Sequence, residues 1–239
     1  MGCCGEHVEM SDEVKAPRFK VAVLASGNGS NLQAIIDELH LKPTDESIPP
    51  ASVEELMAAR IPFIELVLVI SDVPGARAIE RAWAAGISTA VIPFDRYDTR
   101  EAHDAHMATA LDDLGVELVV LAGYMRLLEP VFIRAFAGRI INVHPALLPA
   151  FPGTTSIADA IAYGAKVTGV TVHYVEDEMD SGPVILQEAV LVEEGDTTET
   201  LATRIHQVEH RLLPKAIRMI ASGRLAPPPP GSRLVRAVS

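Results

Sequence analysis

Short apolar runs alternate with helical patterns along most of this chain, and that alternation limits the possible folds more than any other feature. Runs typical of buried strands lie at 20–25, 64–71, 87–92, 117–122 and 139–144. Helical spacing of apolar residues is found at 32–39, 76–85, 99–114 and 130–136. Five rounds of this alternation predict an α/β fold with a doubly wound, mostly parallel, Rossmann-like sheet.

The pattern changes after the fifth predicted strand. Two further strands, predicted at 168–175 and 184–192, flank an acidic turn. They indicate antiparallel strands added at the C-terminal end of the sheet. One long helix is predicted at 198–222.

Domain organisation follows from length and from the placement of proline. A chain of 239 residues suits one large α/β domain with a sizeable core. We expect a disordered leader at 1–19, a single domain at 20–223 and a Pro-rich tail at 224–239. Residues 41–62 contain four prolines around a short helical piece and indicate an inserted surface segment.

Composition excludes several classes of function. Twenty Lys and Arg against 32 Asp and Glu give a formal net charge of −12, which argues against a nucleic-acid partner. No apolar run approaches the roughly 18 residues of a membrane helix, and no signal peptide is recognisable. The two cysteines, Cys3 and Cys4, are adjacent, so we expect no disulfide framework and a cytoplasmic location. We also expect no metal site, because these cysteines and His7 lack the spacing of zinc ligands.

The loop from Ser26 to Asn31 follows the first predicted strand and precedes a helix. Its glycines allow close approach of the backbone to an anion, and the helix adds free N–H groups. No Gly-Lys-Ser/Thr follows, and Leu32 replaces the third glycine of a dinucleotide fingerprint. The loop therefore favours a mononucleotide phosphate site, with a Gly-rich turn and a helix cap as the structural alternative.

Asn142 and His144 end the fifth predicted strand. Residues two apart in a strand point to the same face, so the amide and the imidazole lie side by side. That pair suits stabilisation of an oxyanion and transfer of a proton. Its structural alternative is a polar strand end satisfied by local hydrogen bonds.

Asp180 opens an Asp-Ser-Gly-Pro turn after a run of acidic residues. Turn chemistry accounts for the sequence as well as function does, and a solvated acidic turn is the default for residues 176–178. A magnesium loop is conceivable, but the spacing matches no metal motif. Asp180 acquires a chemical role only if it lies near His144, where a carboxylate would orient the ring and favour its protonated form.

Taken together, these segments resemble the glycinamide ribonucleotide formyltransferase family. The matching stretches run in the family's order and cover most of 20–223. They are SGNGSNLQAI (26–35), DTREAHD (98–104), VVLAGYMRLL (119–128), INVHPALLPAFPG (141–153), GVTVHYVEDEMDSGPVILQ (169–187) and VEHRLLP (208–214). The sequence departs from the family at 154–157, where many relatives are rich in His. The resemblance also suggests a cis peptide bond at Pro149.

The resemblance implies transfer of a formyl group from 10-formyltetrahydrofolate, a co-substrate, to the amine of glycinamide ribonucleotide in purine biosynthesis. Residues matching the family's catalytic set are Asn142, His144 and Asp180. Residues expected to bind the nucleotide are Gly29, Ser30, Asn31, His206, Gln207, Val208 and Glu209. Residues expected to line the folate site are Arg100, Met125, Arg126, Leu127, Leu128, Asn142, Glu176, Asp177, Glu178, Met179 and Asp180.

Other functions compete with this interpretation. A formyltetrahydrofolate hydrolase shares the Asn/His/Asp set, and a methionyl-tRNA formyltransferase is related, but we expect each to carry a further domain. The loop at 26–31 does not favour a nicotinamide-dependent oxidoreductase, because Leu32 replaces the third glycine of the dinucleotide fingerprint. A non-catalytic nucleotide-binding module would not depend on Asn142 or His144. The oligomeric state is open, and a homodimer is compatible with the sequence.

The negative net charge creates a requirement, because both expected small-molecule substrates are anionic. The loop at 26–31 contains no Lys or Arg. Phosphate capture must therefore rely on backbone N–H groups and a helix N-terminus. The sequence predicts a locally electropositive cleft in an acidic protein, with Arg100 and Arg126 as its nearby cations.

Overall fold

The computed structural model describes residues 17–43, 62–229 and 232–237, and an eight-stranded sheet forms its centre. The strands of this sheet are β1 (Arg18–Leu24), β2 (Lys42–Pro43), β3 (Phe63–Ser71), β4 (Thr89–Val91), β5 (Leu118–Leu121), β6 (Ile140–His144), β7 (Val167–Tyr174) and β8 (Val184–Leu191). The helices are α1 (Ser30–Leu39), α2 (Arg77–Ala84), α3 (Arg100–Asp113), α4 (Pro130–Ala135), α5 (Ser156–Tyr163) and α6 (Thr198–Ala221), with a 3-10 turn at Phe94–Arg96.

Strand order confirms the predicted fold class. The sheet runs β2-β3-β1-β5-β6-β7-β8, and β4 also pairs with β3. Pairings among β1, β3, β4, β5 and β6 are parallel, whereas β7 and β8 join antiparallel. The short β2 is antiparallel to β3.

The core lies in two layers, one on each face of the sheet. In β1, Val21 and Val23 face α1, α2 and α6, whereas Ala22 and Leu24 face α3 and α4. All four side chains are fully buried. Burial on both faces explains why the parallel strands read as continuous apolar runs.

Several elements differ from the sequence predictions. The helix α5 was not predicted, and β4 is shorter than the strand expected at 87–92. β1 begins at Arg18, inside the predicted leader. In the predicted tail, β9 (Leu225–Ala226) pairs with β10 (Arg236–Ala237), and Leu225 is buried.

Some predictions lie outside the described residues. These are residues 1–16 of the leader with Cys3, Cys4 and His7, and the helical piece at 53–59 within the insertion. Among the residues that the structure describes, no helix has the length and apolarity needed to cross a bilayer. The domain boundaries remain a prediction.

Candidate active site

A cavity of about 980 Å³ lies against the sheet where β1, β5 and β6 end. Its size is at the upper end of the range for small-molecule sites. The largest parts of its wall are residues 27–31 after β1, 121–130 after β5, 142–145 at the end of β6 and 175–180 between β7 and β8. The helix α6 adds Thr198, His206 and Glu209.

Asn142 and His144 lie where β6 runs between a parallel neighbour, β5, and an antiparallel one, β7. They alternate with the buried Ile141 and Val143, so their side chains share one face. The antiparallel register places Asn142 directly opposite His173. Asn142 Nδ2 lies 3.3 Å from His173 Nε2.

Both ring nitrogens of His144 face acceptors. Nε2 lies 2.8 Å from the carbonyl oxygen of Phe151, so this nitrogen carries a proton, because a carbonyl only accepts. Nδ1 lies 3.4 Å from Oδ2 of Asp180. A proton on Nδ1 therefore has an anionic neighbour, at a distance loose enough for the proton to be shared with another acceptor.

The Asp180 carboxylate is held in this position by its backbone and by a neighbouring loop. Its φ is 52°, in the left-handed region that Asp tolerates better than most residues. Its Oδ2 accepts a hydrogen bond of 2.8 Å from the N–H of Gly153. The loop between β7 and β8 thus folds back toward β6 and brings the carboxylate to the imidazole.

The N-terminus of α1 is open to the cavity. Gly29 occupies the cap position with φ 71°, and no side chain caps the helix. Asn31 Nδ2 donates to Glu209 Oε2 at 2.9 Å. Oδ1 of Asn31 is buried without a hydrogen-bond partner among the described residues. This end of the cavity therefore offers unused hydrogen-bonding groups beside a helix N-terminus.

Glu209 is a buried acid in the same corner of the cavity. Burial raises the pKa of its carboxyl, and the Asn31 hydrogen bond and the nearby His206 partly oppose that rise. The carboxyl is well placed to accept hydrogen bonds from hydroxyl or amine groups of a ligand.

A further part of the wall, residues 123–130, is fixed by polar contacts. Met125 N–H donates to Ser26 Oγ at 3.0 Å. Arg126 pairs with the buried Asp72 at 2.7 Å, and Arg100 pairs with Glu129 at 3.0 Å. Both cations named from the sequence therefore have acidic partners, and these ion pairs hold this wall in place.

Comparison with known protein families shows to which family this chain belongs. The sequence model of the family described as formyl transferase matches residues 19–217. The chain belongs to the formyl transferase family.

Relatives within the formyl transferase family cover most of the chain. A phosphoribosylglycinamide formyltransferase of Bacillus subtilis is 40% identical over 201 residues, which are 84% of this chain and 94% of that protein. A crystal structure of glycinamide ribonucleotide transformylase 1 from Symbiobacterium toebii superimposes with a TM-score of 0.79 at 44% identity, and the match covers 93% of this chain and 95% of that chain.

The chain also matches part of longer family members. The trifunctional purine biosynthetic protein adenosine-3 of Gallus gallus is 40% identical over 217 residues, 91% of this chain. The match spans about a fifth of that relative, 20% of its length.

Most residues that the family resemblance assigned to substrates do line the cavity, but two do not. Gln207 is exposed, and Val208 is buried in the core. The reason is helical geometry, because residues three apart on α6, such as His206 and Glu209, share a face, whereas the two between them point elsewhere.

His173 belongs to the site but was not predicted from the sequence. Its Nδ1 donates to the Tyr174 carbonyl at 2.8 Å, which leaves Nε2 to accept from Asn142. Burial lowers the pKa of His173 and favours this neutral form, against the opposing effects of the Tyr174 hydrogen bond and the Asp180 charge. The one signal in the sequence was a histidine in a predicted strand, and its partner depends on the strand register.

Among the described residues, no group of three His, Cys, Asp or Glu side chains is arranged to hold a metal ion.

Proposed function

We propose that this chain transfers the formyl group of 10-formyltetrahydrofolate to the amine of glycinamide ribonucleotide, in the purine pathway. The observation that carries the proposal is the meeting of Asn142, His144 and Asp180 on one wall of a single cavity. An open helix N-terminus lies at one end of that cavity, and the loop after β5 forms another wall. The names of the full-length relatives support the same reaction.

The nucleotide is assigned to the corner formed by α1 and α6. Backbone N–H groups of Gly29, Ser30 and Asn31 would bind its phosphate, as helix N-termini do for many anions. Glu209 would accept hydrogen bonds from the ribose or the glycinamide end, with His206 beside it. The family resemblance suggested these residues, and their presence in one cavity supports the assignment.

The folate is assigned to the wall of 125–128 and the acidic loop of 176–180. Met125, Leu127 and Met179 expose large apolar side chains there, at 69%, 55% and 48% of their maximal surface. Such exposure suits a ligand with flat aromatic parts. Arg100 would contribute by holding the Leu127 carbonyl, to which it donates at 2.8 Å.

Formyl transfer needs stabilisation of an oxyanion and removal of a proton from the attacking amine. Asn142 has a second amide N–H, beyond the one directed at His173, to donate to the oxyanion. A protonated His144 adds positive charge, and its Nδ1 proton can be shared between Asp180 and the oxyanion. Asp180 would keep the ring oriented and would accept the amine proton through a water.

A formyl-transfer assay tests the proposal. Purified protein with 10-formyltetrahydrofolate should release tetrahydrofolate only when glycinamide ribonucleotide is present, and formylated nucleotide should appear in equal amount. Loss of formyl at the same rate without the nucleotide would instead identify a hydrolase and would contradict the proposal.

The proposal includes the compartment in which the reaction takes place. A protein with only two cysteines, both at its start, suits the reducing cytoplasm. We place the reaction there, with residues 20–223 as the catalytic domain.

A further inference from the structure

Arg81 on α2 lies behind the loop that leads into α1. Its Nε donates to the carbonyl oxygen of Asn28 at 2.9 Å, and its Nη1 donates to Oε1 of Gln33 at 3.0 Å. Gln33 is itself held by Asp37, whose Oδ1 accepts from Gln33 Nε2 at 2.9 Å. The guanidinium therefore connects α2 with both the loop and the first turns of α1.

The loop has α2 on one side and the cavity on the other. Ala78 N–H donates to the Gly27 carbonyl at 3.2 Å. A Cβ at Gly29 would lie 2.8 Å from the Cα of Ala78, so the two backbones are in direct contact. Residues 27–31 line the cavity, whereas no residue of α2, which is described in full, does so. Arg81 is thus separated from the cavity by the thickness of the loop.

The Asn28–Gly29 peptide unit connects Arg81 on one side of the loop with the cavity on the other. In a trans peptide the C=O and the N–H point in opposite directions. Since the Asn28 carbonyl points at Arg81, the N–H of Gly29 points away from α2, to the side of the cavity. A charge-assisted hydrogen bond to the carbonyl polarises the peptide and makes that N–H a stronger donor to an anion.

His210, a basic residue near this corner, differs from Arg81 in its charge. Burial lowers the pKa of His210, and the positive charges of His206 and Arg81 lower it further, so His210 is mainly neutral at neutral pH. A guanidinium remains charged at every physiological pH. Arg81 is therefore a fixed positive charge at a loop that contains no Lys or Arg of its own.

We propose that Arg81 is a positioning residue for the phosphate of the acceptor substrate: it holds the Asn28–Gly29 peptide with its N–H toward the cavity and supplies positive charge from behind the loop. The inference deepens the proposed function and rests on the assignment of the nucleotide to this corner. Arg81 need not touch the phosphate itself.

Steady-state kinetics of Arg81→Gln, Arg81→Lys and Arg77→Gln test this role. Arg77 is an exposed residue one turn earlier on α2, so its variant removes the same charge without the contact. For Arg81→Gln we expect the KM for glycinamide ribonucleotide to rise about 10-fold, the size expected for one charge-assisted hydrogen bond. The KM for formyl-folate and the kcat should stay within about 2-fold. Arg81→Lys should recover part of the loss, and Arg77→Gln should match wild type.

Inorganic phosphate provides a second readout that does not need turnover. It should raise the Tm of the wild-type protein and of Arg77→Gln, and raise that of Arg81→Gln less at the same concentration. An unchanged nucleotide KM in Arg81→Gln would overturn the inference. Equal rises in both KM values together with a lower Tm would also overturn it, since they would show a general structural role. No transfer by the wild-type protein would contradict the proposed function instead, and the phosphate shift would still test Arg81.

Discussion

His144 takes its position from residues that lie outside its own strand. The β6 strand supplies the backbone, Phe151 supplies the acceptor for Nε2, and Asp180 supplies the neighbour of Nδ1. Ser156 Oγ lies 3.3 Å from Nε2 and donates to the Gly153 carbonyl at 2.8 Å, which links the ring to the start of α5. The position of this ring therefore depends on two loops, the one that leads from β6 into α5 and the one between β7 and β8.

Replacement of His144 by Ala should lower kcat by about 10²- to 10³-fold, because the positive charge next to the oxyanion is lost. Glycinamide ribonucleotide should bind with nearly unchanged affinity, since the α1 corner is intact. Steady-state formyl transfer at saturating concentrations of both substrates measures kcat. His106→Ala, at an exposed position on α3, is the matched control. Turnover of His144→Ala near the wild-type rate would contradict the assignment.

Glu209→Gln should stabilise the substrate-free protein above neutral pH. Burial raises the folded pKa of Glu209, so its contribution to stability is full below about 4.5 and is lost as the pH rises through the folded pKa. A neutral amide avoids that loss. We expect a higher Tm at pH 8 and a higher KM for glycinamide ribonucleotide. Glu194→Gln, on an exposed loop, should change neither, and a lower Tm for Glu209→Gln would contradict the prediction.

Local pattern was enough to name Asn142, His144 and the loop at 26–31, because strand alternation and a Gly-rich turn are visible within a few residues. The resemblance to a family was needed to connect Asp180 and Glu209 with them. Neither could supply His173 or Arg81, because the contacts of these residues depend on strand register and on the packing of α2 against the loop.

At the scale of elements, α1 and α2 form a tightly packed pair around Gly29. A side chain there faces two penalties, the left-handed backbone and the contact with Ala78. Gly86 has a similar φ of 72° but open space around it. Comparison of the two positions separates the cost of the backbone from the cost of the contact.

Gly29→Ala should therefore destabilise the protein more than Gly86→Ala does. We expect about 1 kcal/mol for Gly86→Ala from backbone strain alone, and a further ~1–3 kcal/mol for Gly29→Ala from overpacking. Urea unfolding measures the free energy of unfolding of each variant, and equal m-values show that the variants can be compared with wild type. Equal losses of stability would show that α2 moves aside at no cost.

Elements were predictable where the apolar pattern was long and regular. The strands β1, β3, β5 and β6 and the antiparallel pair β7 and β8 lie within two residues of their predicted bounds. The helix α5 has only eight residues and follows a proline-rich segment, so its pattern is short. At its start, Ser156 contacts both the preceding loop and His144 of β6. The strands β9 and β10 have two residues each and are defined only by their pairing.

At the scale of the whole molecule, one buried and two partly buried histidines link stability to pH. Burial lowers the pKa of His40, His173 and His210 below the ordinary 6.5. A lowered histidine pKa gives stability that is full above about 6.5 and is lost as the pH falls through the folded value. His40 also accepts a hydrogen bond from Leu66 N–H at 3.2 Å, which protonation of that nitrogen would break.

We therefore expect the Tm to fall as the pH is lowered from 7.5 to 5.5, in a Glu209→Gln background that removes the opposing effect of that acid. Adding His40→Gln should make the fall shallower, because one group no longer takes up a proton on unfolding. Calorimetry in buffers of equal ionic strength measures the slope. A Tm that stays constant or rises on acidification would contradict the prediction.

The open start of α1 has a consequence for the molecule as a whole. No side chain caps the first turn of α1, so its free N–H groups need another partner. A bound phosphate would serve as the missing cap, so the arrival of the nucleotide finishes a piece of secondary structure as well as filling a site. Resistance to unfolding would then rise with the concentration of the nucleotide.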